Sequence, residues 1–496
     1  MTTTSGDGMP GPRRFPPGFL WGASTSAYQI EGAAHEDGRG QSIWDTFSHT
    51  PGKVRGGDTG DIACDSYHRA DEDLALLSEL GVGGYRFSIA WPRIQPTGRG
   101  EVNERGLDYY RALATGLRDR GIMPVATVYH WDLPQAIEDE GGWANRETAE
   151  RFAEYAERLA HELGDQVAMW ITMNEPQQAA HQGYRVGTHA PGKTDYGLAA
   201  AATHHLLLGH GLAMQAMRSV LPGRVPIGIS LDIHPVRPAN EDALGAAVVL
   251  DAEHNRIFLE PVLHGTYPQA ARAELLPPAA LIEPGDMSVI SAPLDFLGVN
   301  YYSPYYVRSA DWDDLRLGES PLAGHPGFVS YAPPELPRTN MGWLVEPDGL
   351  YDTLLALDRE APQLPLYITE NGCAADDYVT PEGVVEDLER VEYLHGHFDA
   401  AWRAIQDGVN LSGYFVWSLM DNFEWARGYQ RRFGLYFVDF ATQRRLAKRS
   451  ARFYSEVART GALPRTEAML HASAGEFVNG AVPRSPTAAR TVPGAL

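Results

Sequence analysis

Residues 364–374 read LPLYITENGCA, a run of apolar and β-branched residues that ends on one carboxylate, Glu370, followed by Asn-Gly. Strands buried on both faces are written as continuous apolar runs of this kind. Working outward, similar runs occur at FLWGAS (19–24), GYRFSIAW (84–91), MPVATVYHW (123–131), VAMWITMNEP (167–176), VPIGISLDIH (225–234), LDFLGVNYYS (294–303) and LSGYFVWSLMDN (411–422). Together with LPLYITENG (364–372) they make eight. Between them lie segments with apolar residues three and four apart, such as SYHRADEDLALLSELG (66–81), ETAERFAEYAERLAHELG (147–164) and RVEYLHGHFDAAWRAIQDG (390–408), which predict helices. Strand and helix alternating eight times predict an α/β fold, a single (β/α)8 TIM barrel.

The chain of 496 residues is about twice what a bare barrel of roughly 250 residues needs. No linker rich in Pro, Gly and Ser divides its middle, so the excess is assigned to long insertions in the loops that follow the strands. The barrel domain is drawn at residues 14–461, with residues 1–13 and 462–496 expected as flexible tails because they are rich in small residues and Pro. A net charge of −23 argues against nucleic acid or an anionic membrane as partner. No run approaches the roughly 18 apolar residues of a membrane span, and the N-terminal stretch lacks the apolar region of a secretory signal. Cys64 and Cys373 are too few for a disulfide framework or a four-cysteine zinc site and fit a reducing compartment, so the cytoplasm is the expected location.

In a parallel barrel the C-terminal ends of the strands form the active face, so a polar residue that closes an apolar run points into the site. Glu370 closes the seventh run and Glu175, in ITMNEP, closes the fourth. Two carboxylates facing one pocket are what glycosidic bond cleavage requires: one protonates the leaving oxygen while the other attacks or activates water. Gln29, His130, Trp131, Asn174, Asn300, Tyr302, Trp417, Glu424 and Trp425 fall at or just past the same strand ends. They would offer hydrogen-bonding groups for hydroxyls and flat apolar surfaces for the C–H faces of a sugar.

The segments FLWGASTSAYQIEGA (19–33), YRFSIAWPRI (85–94), YHWDLP (129–134), TMNEP (172–176), NYYS (300–303), YITENG (367–372) and WSLMDNFEWARGYQRRFGLYFVD (417–439) resemble, in order, the signature stretches of glycoside hydrolase family 1, the β-glucosidase family. The resemblance spans about residues 14–455 and implies the same (β/α)8 fold. It implies that Glu370 of TENG is the nucleophile and Glu175 of NEP the general acid/base, with retention of anomeric configuration. Arg86 then matches the arginine beside the nucleophile and Tyr302 the tyrosine that hydrogen-bonds it. Gln29, His130, Asn174, Glu424 and Trp425 match residues that bind sugar hydroxyls, with Asn174 toward the 2-hydroxyl. Trp417 matches the sugar platform, and Trp343 of MGWLVEPDGL an aromatic that stacks on the leaving group.

Glu424 stands where 6-phospho-β-glycosidases lack a glutamate, and Glu175 where plant thioglucosidases carry glutamine, so an unphosphorylated O-glycoside is expected. Other chemistries find no support. GVGGYR (81–86) breaks the dinucleotide pattern at Arg86, HELGD (161–165) lacks the second histidine of a zinc protease, and no G-x-S-x-G elbow occurs. The histidines of THHLLLGH (203–210) read as packing or surface residues within a helix. The expectation is a retaining β-glucosidase acting on small-molecule β-glucosides, with β-fucosides or β-galactosides as further substrates and no cofactor or metal. The alternative from a different class is a catalytically silent sugar-binding protein on the same barrel.

Overall fold

The computed structural model describes residues 13–223, 225–310 and 327–464. Eight parallel strands close into a barrel: β1 (Leu20–Ser24), β2 (Gly84–Ser88), β3 (Met123–Tyr129), β4 (Met169–Asn174), β5 (Ile227–Asp232), β6 (Phe296–Asn300), β7 (Leu366–Asn371) and β8 (Leu411–Trp417). Each pairs with its chain neighbour, and β8 closes on β1 with Trp417 opposite Ser24. All eight runs marked by apolar content are barrel strands. They are buried along nearly their whole length, as strands between a filled interior and an outer layer of helices must be.

The helices follow from the same patterning. Glu147–Leu163 buries Phe152, Tyr155, Ala156, Leu159 and Leu163 at three- and four-residue spacing, and Glu147 and Glu150 sit in its first turn, where carboxylates complement the helix dipole. The helix Tyr196–Val220 starts on Asp195, whose carboxylate accepts from the Leu198 amide at 2.9 Å. Its histidines are buried packing residues: His204 bridges Tyr267 and Asp286, while His205 meets the Trp143 carbonyl and His210 the Thr172 hydroxyl through one ring nitrogen each.

Inside the barrel, toward the N-terminal ends of the strands, Val125, Met169, Ile171, Phe296 and Phe415 form their own apolar cluster. These residues come from β3, β4, β6 and β8, which are not all neighbours, so they meet only across the interior. Phe415 fills space left by Gly22: a Cβ there would lie 2.3 Å from its ring. With the lower half plugged, the polar residues at the C-terminal ends have one cavity to share.

The added length lies mostly beyond those ends. Segments after β5 and β6 contribute a three-stranded sheet of Val236–Pro238, Tyr305–Ser309 and Phe328–Tyr331, and the segment after β8 contains the hairpin Tyr436–Asp439 with Arg444–Ala447. At the opposite limits of the domain, Arg13–Arg14 pairs with Ala462–Leu463. The tails expected to be flexible otherwise lie outside the described residues.

Candidate active site

The strand register brings the two glutamates to one mouth. Glu370, in β7, pairs with Asn300 of β6, while Glu175 follows directly on β4, whose Asn174 pairs with Ser230 of β5. Arg86, buried at the middle of β2, donates to Glu370 Oε1 at 2.6 Å, and the Tyr302 hydroxyl donates to Glu370 Oε2 at 2.7 Å. The same guanidinium donates to Asn174 Oδ1 at 2.5 Å. Asn300 Nδ2 donates to Asn174 Oδ1 at 3.0 Å and to Glu175 Oε1 at 2.5 Å. One continuous hydrogen-bond chain therefore runs from carboxylate to carboxylate through Arg86, Asn174 and Asn300.

Because Asn174 Oδ1 accepts twice, its Nδ2 is the atom that faces His130 Nε2 at 3.2 Å. Nε2 then accepts and Nδ1 carries the hydrogen, and Nδ1 has no protein partner. Burial first, and then Arg86, pushes the His130 pKa well below its ordinary value, so the ring is neutral.

The two glutamates feel different surroundings. Burial raises the Glu175 pKa well above the usual carboxylate range, and the charges of Asp232 and Glu370 raise it further, with Asn300 and Arg86 opposing. Burial also raises Glu370, but Arg86 and Tyr302 pull it back. Glu370 thus ionises before Glu175, the order expected of a nucleophile beside a proton donor. Glu424 is pushed up to about 8 by burial and by the charge of Glu370.

Around these groups lies a cavity of about 540 Å³. His130, Trp131, Trp417 and Trp425 wall one side, with the His130 ring stacked on Trp417 at 5.7 Å and Trp131 against Trp425 at 4.6 Å. Tyr302, Trp343 and Phe433 continue the wall from Trp417, with which they form one cluster. The Trp131 indole N–H is committed to the Asn174 carbonyl at 2.8 Å, which fixes that ring next to Glu175. Three of these residues take backbone conformations that L side chains seldom adopt: Glu175 at φ 44°, Trp425 at 46° and Trp131 at 75°. Such strain is held only where surrounding contacts over-determine it, and it clusters at functional sites.

A match to the family model described as Glycosyl hydrolase family 1 covers residues 12–462. The chain belongs to that family. Among curated family 1 relatives, beta-glucosidase A of Thermotoga maritima is 45% identical over 91% of this chain and 99% of its own length. Thermostable beta-glucosidase B of Thermobispora bispora is 48% identical over 90% of this chain and 91% of its own. A bifunctional beta-D-glucosidase/beta-D-fucosidase of Bifidobacterium breve is 45% identical over 89% and 97%. The solved structure of the T. maritima beta-glucosidase in complex with deoxynojirimycin matches with a TM-score of 0.85, over 91% of this chain and 100% of that one.

Of the family 1 positions expected from the sequence, Glu175, Glu370, His130, Trp131, Tyr302, Trp343, Trp417, Glu424 and Trp425 line the cavity. Arg86, Asn174 and Asn300 stand behind the glutamates and link them. Gln29 is not on the cavity wall: Ser26 donates to its Oε1 at 2.6 Å, and its Nε2 donates to Asn422 Oδ1 and the Phe423 carbonyl. It braces the segment that carries Glu424. The sequence reading passed over Arg55, Gln178, Gln182, Thr188, His189, Asp232, His234, Met341, Arg427 and Phe433, which also line the cavity. Five of them, Thr188, His189, His234, Met341 and Phe433, sit between regular elements, where no periodicity marks them. Asp232 closes the run IGISLD just as Glu175 and Glu370 close theirs, so that signal was available. Among the described residues, no group of three or more His, Cys, Asp or Glu side chains is placed to hold a metal ion, and no helix is long and apolar enough to cross a membrane.

Proposed function

We propose that this family 1 chain is a retaining β-glucosidase in which Glu370 is the nucleophile and Glu175 the acid/base. The observation that carries the assignment is the asymmetric pairing of the carboxyls: Glu370 is held by a cation and a phenol, whereas Glu175 is buried beside anions. In the first step the Glu370 carboxylate bonds to the anomeric carbon. The bond from that carbon to the leaving oxygen breaks, and the Glu175 proton passes to the leaving group. In the second step Glu175, now ionised, takes a proton from water, whose oxygen displaces Glu370 from the anomeric carbon. The sugar retains its β configuration.

His130 Nδ1–H, Asn174 and Glu424 supply hydrogen bonds to the glycone, with Gln29 behind them. Trp425 lies along its edge, Trp417 forms its platform, and Trp343 and Trp131 flank the leaving group. Glucose is the favoured glycone because relatives 44–48% identical over most of the chain carry that activity in their names. Fucose is the next candidate, from the bifunctional B. breve relative. A reducing interior such as the cytoplasm suits Cys64 and Cys373, which are buried free thiols.

The test is incubation with a 2-deoxy-2-fluoro-β-glucosyl donor bearing a good leaving group, followed by peptide mass spectrometry. One fluoro-sugar on the peptide containing Glu370 is the expected result. A label elsewhere would overturn the nucleophile assignment. No label, with an aryl β-glucoside also left intact, would overturn the activity.

A further inference from the structure

We propose that Asp232 and His234, at and just beyond the end of β5, form a charge pair that holds Glu175 in place and sets the pH above which it loses its proton. This rests on Glu175 being the acid/base, and both residues line the same cavity.

The mechanical part follows from the backbone. Glu175 has φ 44°, and β5 is what holds it there. The Glu175 amide donates to the Ser230 carbonyl at 2.9 Å. Gln177 Nε2 donates to the Asp232 carbonyl at 3.1 Å and Gln178 Nε2 to Asp232 Oδ2 at 2.8 Å. Gln178 is itself hydrogen-bonded through its amide to the Glu175 carbonyl at 3.0 Å. On the other flank Asp232 lies opposite Asn300, the donor to Glu175 Oε1.

The electrical part follows from His234. Its Nδ1 lies 2.6 Å from the Ser303 carbonyl and its Nε2 2.8 Å from Asp232 Oδ2. A carbonyl only accepts, and Oδ2 already accepts from Gln178. Nδ1 therefore donates, and although burial opposes it, the charge and hydrogen bond of Asp232 and the Ser303 carbonyl push the His234 pKa up, which favours an imidazolium paired with a carboxylate. His234 is fixed by a two-way exchange with Asn255, whose Oδ1 accepts from its amide at 3.0 Å and whose Nδ2 donates to its carbonyl at 2.7 Å.

The other groups around this pair leave that assignment intact. Tyr305 packs on the His234 ring at 4.4 Å and is a neutral phenol, its pKa raised by burial and by Asp232. His254, whose ring lies 5.0 Å from that of Tyr305, is neutral, pushed down to about 3 by burial, by Arg185 and by His234. Glu175 itself faces Asp232, Glu370, Arg86, Asn300, Tyr302 and Tyr305. Asp232 Oδ1 is buried without a protein partner, so its charge acts on the groups around it, Glu175 among them.

The two halves of the pair act on Glu175 with opposite sign. Removing the Asp232 charge makes Glu175 easier to ionise; removing the His234 charge leaves Asp232 uncompensated and makes Glu175 harder to ionise. In Asp232→Asn the basic limb of kcat/KM for phenyl β-glucoside should move down by about one pH unit, and in His234→Gln up by a similar amount. Asp232→Glu, which keeps the charge, should bring the limb back toward its original position. Limbs that do not move, or that move together, overturn the proposal. If Asp232→Asn does not fold, His234→Gln decides alone, since mere loosening of the site gives no upward shift.

Glu175→Gln run beside them separates this proposal from the reading it rests on. Loss of kcat/KM on phenyl β-glucoside with retention on 2,4-dinitrophenyl β-glucoside, whose leaving group needs no proton, upholds Glu175 as acid. Equal loss on both overturns the acid assignment itself.

Discussion

Glu370 depends on two donors of different kinds. Arg86 neutralises it, and Tyr302 adds a hydrogen bond from a phenol that burial keeps protonated. A hydrogen bond to a charged group is worth about 1.5–3 kcal/mol, so Tyr302→Phe should lower kcat/KM roughly 10- to 100-fold. The sign on pH is fixed as well. Tyr302 favours the ionised carboxylate, so its loss raises the Glu370 pKa and moves the acid limb of the pH profile upward. A drop in rate with an unmoved acid limb would show that Tyr302 serves packing alone. At this scale the sequence was most legible where a polar residue closes an apolar run, as Glu175, Glu370 and Asn300 do. It was least legible where a side chain's partner decides its task. Gln29 looks like a free amide in the sequence, and only the fold shows Ser26, Asn422 and Phe423 occupying it.

Among elements, the strands were readable because burial on both faces leaves no choice but continuous apolar sequence. Loop placement was not readable, because it is set by charges far apart in the chain. Lys448, wholly buried, bonds Asp421 and Asp377, each at 2.6 Å. Arg390 pairs with Asp377 and Asp387, and Arg432 reaches Asp421 at 2.5 Å. These contacts tie the loop after β7 and the helix Leu388–Gln406 to the segment after β8 that carries Glu424 and Trp425. Removing Lys448 leaves this buried cluster one cation short, at a cost toward the low end of the about 3–5 kcal/mol of a broken buried pair, because Asp377 keeps Arg390 and Asp421 keeps Arg432. Lys448→Met should therefore lower the stability measured by urea unfolding by that order, despite its added apolar surface. A loss below about 1 kcal/mol would mean that the two aspartates find other cations or protons.

For the molecule as a whole, the site is a stability burden that changes with pH. Glu424 contributes a carboxyl that is partly exposed to the cavity and held at about 8. An unfolded glutamate titrates near 4.3, so between those values the folded chain holds a proton that the unfolded chain has released. Stability must then fall as pH rises through that window. Buried histidines act in the opposite sense: His189, His205 and His397 are pushed down to about 4 by burial and favour unfolding in acid. Their effect is the same in the parent and in a Glu424 variant, so it cancels from the difference. Glu424→Gln removes the titration and keeps the shape. The variant's melting temperature relative to the parent should rise steadily from about pH 5 to about pH 8 and level off above, while glycone turnover falls. A difference that stays flat across that range would mean that Glu424 is already ionised at neutral pH, solvated by cavity water and by Arg427. The Glu424 carboxyl would then add no pH-dependent cost to the fold.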